Sequence, residues 1–166
     1  MFSNPVGLDL VAKRLEDYFG KTRTSRATLR GGAIVVVSKD TATFDFLQFL
    51  VKEVDLRIAV VHLDQVTTAL RAIENMGSEA VKAIVIDRDL RNDRVEDGQT
   101  FLGHISSEYP NVPVFVDRCE AEAAKDVRQV SSRIGILKRG IPRWAYVKAL
   151  GLPQTCFAHI STPGHF

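Results

Sequence analysis

The apolar positions of this chain fall into two alternating kinds of run. From Ala33 onward there are short, nearly unbroken aliphatic blocks: AIVVV at 33–37, RIAVV at 57–61, AIVI at 83–86, VPVFV at 112–116 and IGIL at 134–137. Such blocks, bounded by polar punctuation, suit strands covered on both faces. Between them the apolar residues recur at three- and four-residue spacing. Phe44, Leu47, Leu50 and Val51 make one stripe, with Thr41 or Thr43 able to cap the helix that carries it. Residues 64–76 make a second helix, with Asp64 as cap and Gly77 as stop. A third, 99–108, turns Phe101, Leu102 and Ile105 inward, and Pro110 and Pro113 separate it from the next strand. Helices over 120–131 and 143–150 complete the series.

Five strands alternating with helices predict an α/β domain over 33–150, a doubly wound five-stranded parallel sheet. Upstream, Leu8, Val11, Leu15 and Phe19 give an extra N-terminal amphipathic helix within 1–20. The segment 21–32 carries Lys21, Arg23, Arg26 and Arg30 and no acid, and reads as a solvated basic linker. The tail, 151–166, has no strong period. No DNA-binding module is expected after the α/β region, unless the chain is a fragment. Ligands of such sheets gather at the carboxyl ends of the strands. Those ends read Ser38-Lys39-Asp40, His62, Asp87, Asp117-Arg118 and Lys138-Arg139, so ionic groups crowd one rim.

Composition narrows the field. The 166 residues are 45% hydrophobic and 25% charged, the balance of a globular domain that needs no disulfide or metal staple. The net charge of +2, 22 basic against 20 acidic residues, gives no reason to expect nucleic acid. The longest aliphatic run, 33–37, is far short of the ~20 residues of a membrane span. The N-terminus has neither the basic start nor the apolar core of a secretory signal, so a cytoplasmic protein is expected. Cys119 and Cys156 form no framework. His62, His104, His159 and His165 have no metal-binding spacing, and His62 and His104 read as surface or boundary residues. SKDTATF, after the first strand, lacks a Gly-rich phosphate loop, which argues against nucleotide and flavin enzymes. The loop after Asp87 mixes Arg88, Arg91 and Arg94 with Asp89, Asp93, Glu96 and Asp97, as a solvated loop with local pairs would. Trp144 reads as an anchor of the last helix, or as an interface residue if exposed.

AIVIDRDL, the Asp97-Gly98 pair and FLGHISSEYPNVPVFV (101–116), followed by Leu137-Lys138, together resemble the receiver domain of bacterial response regulators over about 33–150. The resemblance implies a flavodoxin-like fold and signalling through protein partners, a sensor kinase or a downstream regulator. It also implies an aspartyl phosphoacceptor, Mg²⁺ held with the help of two acids after the first strand, and a Thr or Ser ending the fourth strand. That hydroxyl and a lysine ending the fifth strand would hydrogen-bond the phosphate. Asp87 matches the phosphoacceptor and Lys138 the lysine. The acid-pair positions fall on Ser38 and Lys39, with Asp40 one residue too late. The hydroxyl position falls on Arg118, or on Asp117 if the alignment slips by one.

A cation cannot ligate a cation, so Lys39 works against Mg²⁺, and no cofactor is expected. Lys39 and Lys138 would instead pair with Asp87 and hold it ionised. The reading is a pseudo-receiver, not an enzyme, acting by protein–protein contact. A homodimer is expected through 120–131 and 134–150, without nucleic acid or membrane. The alternatives are a phosphorylatable receiver using Asp87, an accessory domain of an enzyme complex, and an anion sensor built on Lys39, Arg118 and Lys138. The accessory reading is similar to the wing domain of basic amino-acid decarboxylases, which has a long charged loop and a PVF-type fourth strand.

Overall fold

A computed structural model describes residues 23–24, 32–54, 57–117, 133–137 and 142–152. The N-terminal amphipathic helix, the helix at 120–131, Cys119, Cys156, Arg118, Lys138, Arg139 and the end of the tail lie outside the described residues. The elements are β1 (Arg23–Thr24), β2 (Ala33–Val37), α1 (Ala42–Val54), β3 (Ala59–Leu63), α2 (Val66–Met76), a 3-10 turn (Ser78–Ala80), β4 (Val81–Asp87), α3 (Phe101–Glu108), β5 (Val114–Asp117), β6 (Gly135–Leu137) and α4 (Arg143–Ala149).

The five strands β2 to β6 pair in parallel, in the order β3-β2-β4-β5-β6. This is the doubly wound sheet that the alternating pattern predicts. A sixth strand extends it. Arg23 and Thr24, inside the segment read as a linker, pair antiparallel with His62 and Val61 at the β3 edge. Two residues are too few to carry a hydrophobic period, so composition alone reads them as connector.

Each strand divides its side chains between two faces. Val35, Val61, Ile84, Ile86 and Val116 pack on one side beneath α2 and α3, joined by Ala69, Ile73, Phe101, Leu102 and Ile105. Ile34, Val36, Val60, Val85 and Phe115 pack on the other beneath α1 and α4, joined by Phe44, Leu47, Leu50, Tyr146 and Val147. A register shift between Ala33 and Ile34 lets β4 begin out of step with β2 and still bring Ile84 and Ile86 beside Val35 and Val37.

Element ends depart from the pattern in instructive ways. β3 runs two residues past the predicted 57–61, so His62 lies inside the strand and is buried. Its ring stands against Phe44 of α1, which explains why it is no surface histidine. α2 starts after Gln65 and not at Asp64, and Gly77 stops it at φ 84°. Neither Thr41 nor Thr43 caps α1 through its hydroxyl. Asp40 Oδ1 accepts from the N–H of Ala42 at 3.0 Å, and Thr43 is turned elsewhere. The charged loop after β4 is more than a solvated excursion. Leu90 and Val95 are buried in the core, and backbone bonds from Phe101 to Asp93 and from Leu102 to Arg91 fasten it to α3. Trp144 is exposed and is not part of the core that holds α4. Tyr146, Val147 and Leu150 hold α4 to the sheet.

Candidate functional site

Five polar or charged residues are buried among the described residues: Ser38, Thr43, His62, Asp87 and Asp117. All five gather at the carboxyl rim of the sheet, on the side covered by α1. The strand period explains this. Ser38, Asp87 and Asp117 each follow a residue packed toward α2 and α3, as does His62, so each of them faces α1.

The central feature is a pair of carboxylates. Asp87 ends β4, Asp117 ends β5, and the two are partners in the parallel ladder. Asp87 is 8% exposed and Asp117 2%. Asp87 Oδ1 accepts from the N–H of Asp89 at 3.1 Å. Asp117 Oδ2 accepts from Thr43 Oγ1 at 2.5 Å, a contact that joins β5 to the first turn of α1. The carbonyl of Asp117 accepts from the N–H of Arg88 at 3.3 Å, which ties β5 to the start of the loop after β4.

Next to this pair lies the Ser38–His62 cluster. His62 Nε2 lies 2.8 Å from the carbonyl oxygen of Ser38 and 3.3 Å from its Oγ, and the Ser38 hydroxyl donates to the carbonyl of Asp40 at 2.5 Å. The imidazole stands 5.6 Å from the ring of Phe44, centroid to centroid. Its Nδ1 is buried and makes no hydrogen bond.

The segment after β2 does not converge on Asp87. Lys39 is exposed and makes no ion pair with Asp87, contrary to the expected pairing. Ser38 is the last residue directed inward, and the chain bends outward immediately after it. Asp40 is exposed and its carboxylate is turned onto the start of α1. Arg118 and Lys138 lie outside the described residues, so the Lys39, Arg118 and Lys138 cluster has only Lys39 within them. The residue in register with Asp87 is Asp117, the alternative that a one-residue slip allows.

Sequence reasoning missed Thr43, which it treated as a cap, and the burial of His62. The period-2 count along 112–117 was the available signal for Asp117: Phe115 faces α1, so Asp117 must do so too. Nothing local marks Thr43, because its partner is 74 residues away.

No family model matches the sequence, and no curated protein matches it. Solved structures do. A response regulator receiver domain protein from Clostridium thermocellum superposes with a TM-score of 0.55 at 12% identity, over 72% of this chain and 91% of that one. The signal receiver domain of an HD domain-containing protein from Pseudomonas fluorescens Pf-5 gives 0.56 at 14% identity, over 78% and 89%. The receiver domain of NtrX from Brucella abortus gives 0.53 at 18% identity, over 71% and 98%. The chain has a receiver-like fold.

Proposed function

We propose that this protein is a receiver-like signalling domain that works by protein–protein contact, and that metal-dependent phosphorylation of Asp87 is lost. The observation that carries the proposal is the second buried carboxylate, Asp117, directly beside Asp87. Phosphorylation would turn the single negative charge of the Asp87 carboxylate into an acyl phosphate of about two, adding about one negative charge next to it. Unit charges ~4 Å apart repel by about 4 kcal/mol at an effective dielectric near 20, so the phosphorylated state is opposed where a hydroxyl would support it.

The donors present also do not fit Mg²⁺. The ion wants oxygen ligands in a near-octahedral shell. After β2 the chain offers an engaged hydroxyl at Ser38, an ammonium at Lys39, and at Asp40 a carboxylate committed to α1. Among the described residues no three His, Cys, Asp or Glu side chains are grouped to hold a metal.

On this reading the domain needs no cofactor and catalyses no reaction. It presents a surface that includes β6 and α4 to a protein partner, a regulator or a second copy of itself. No described helix is long and apolar enough to cross a membrane. The test is intact-mass spectrometry after incubation with Mg²⁺ and acetyl phosphate. The unmodified mass is the expected result. A stoichiometric phosphoryl adduct that Asp87→Asn abolishes would replace this reading with that of a phosphorylatable receiver.

A further inference from the structure

We propose that the Thr43–Asp117 hydrogen bond is a latch, which sets the position of α1 and, through it, of α4, and so holds the partner-facing surface in one state without a phosphodonor. This deepens the reading of an unphosphorylated rim and rests on it.

The geometry forms a continuous chain of contacts. Thr43 Oγ1 donates to the Asp117 carboxylate, and both residues are almost wholly buried, at 3% and 2% exposure. A hydrogen bond to a charged acceptor away from water is strong and directional. It fixes the first turn of α1 against the end of β5. The same helix then grips α4. Phe46 meets the ring of Tyr146 edge-on, with centroids 4.9 Å apart. Arg143 places its guanidinium 5.3 Å from the centre of the Phe49 ring and pairs with Glu53. Tyr146, Val147 and Leu150 share one core with Phe44, Leu47 and Leu50. A shift of α1 at Thr43 therefore reaches α4 through packed side chains.

Both halves of the latch belong to the chain itself: the acceptor is the side chain that ends β5 and the hydroxyl donor comes from the neighbouring helix, so the bond exists in the unmodified chain. Arg88 N–H on the Asp117 carbonyl adds the loop after β4 to the same node.

The test uses the full chain and its single Trp, Trp144, which lies exposed on α4 and reports on that helix. Thr43→Val keeps the shape and removes the hydroxyl. Thr43→Ser keeps the hydroxyl. Asp117→Asn keeps an acceptor and removes the charge. In Thr43→Val, amide hydrogen exchange in β5 and α4 should quicken by roughly tenfold or more, the factor that loss of a bond to a charged group gives. Acrylamide quenching of Trp144 should change with it. Exchange at Ile73, Phe101 and Ile105, in the helices on the opposite face of the sheet, should stay at the parent rate. Thr43→Ser should restore both readouts, and Asp117→Asn should fall between.

Unchanged exchange and quenching in Thr43→Val would overturn the latch, as would an equal rise in every element, the helices of the opposite face included, which is what a merely structural bond produces. Should Thr43→Val fail to fold, Asp117→Asn carries the same comparison. A phosphoryl adduct on the parent chain would remove the reading of lost phosphorylation and leave these exchange results standing, so the two failures are told apart.

Discussion

Gly135 is a place where one missing carbon decides the packing. It opens β6 in register with Phe115. A Cβ built on it would stand 2.5 Å and 2.7 Å from Cδ1 and Cε1 of the Phe115 ring, which is held in the core beneath α1 and α4. Gly135→Ala should therefore cost about 1–3 kcal/mol of stability, the usual range for overpacking. Urea denaturation measures it, and adding Phe115→Leu should recover part of the loss; a neutral Gly135→Ala would show that the ring moves aside freely. Asp97 makes a residue-scale prediction about pH. The N–H of Gln99 holds its carboxyl below the ordinary 3.8, burial works against this, and His104, 3.1 Å away, lowers it further. A depressed carboxyl stabilises the fold fully above its ordinary value and stops doing so as pH falls through the folded one. The protection of amides across 95–100, taken relative to the intrinsic exchange rate at each pH, should thus fall as the pH drops below 3.8, and Asp97→Asn should abolish that dependence.

At the scale of elements, the strands were the most legible part of the chain and the long loop the least. β2 was plain because AIVVV is short, β-branched and bounded by Gly32 and Ser38, which favours a buried strand over a helix segment. The loop after β4 hid its structure because its many charges concealed two apolar anchors, Leu90 and Val95, spaced too irregularly to show a period. Leu90→Ala should cost about 2–5 kcal/mol, as a buried leucine does and a solvated loop residue does not. At the start of α3, Thr100 Oγ1 accepts from the N–H of Gly103 at 3.1 Å, and Thr100→Ala should cost about 1 kcal/mol. Thermal or chemical denaturation of the two variants ranks them, and equal small losses would mean that the loop is held by its backbone bonds alone. The site was half legible for a related reason. Asp87 and the rim itself follow from strand ends. Thr43 and Asp117 meet only because the first turn of α1 reaches the end of β5, a contact that depends on helix placement and leaves no local mark.

For the whole molecule, the decisive quantity is how folding responds to Mg²⁺. A ligand that binds only the folded state stabilises it by RT ln(1 + [L]/Kd), about 2.7 kcal/mol at a hundredfold excess over Kd. For a domain of this length each kcal/mol moves the melting temperature by roughly 2–4 °C. A receiver with a working metal site would therefore melt several degrees higher in saturating Mg²⁺. Here Lys39 is exposed, Asp40 is turned onto α1, and the inner rim holds Asp87 and Asp117 with a hydroxyl bonded to the second of them. The melting temperature should be the same in Mg²⁺ and in Na⁺ of matched ionic strength. Lys39→Asp should fold with stability within about 0.5 kcal/mol of the parent, since the position is exposed, and it removes the positive charge from the rim. Any Mg²⁺ response that appears in Lys39→Asp alone would locate the block at residue 39. A response of several degrees in the unaltered chain would mean that Asp87 and Asp117 act together as metal ligands, and the domain would then have to be treated as a switch driven by its cation.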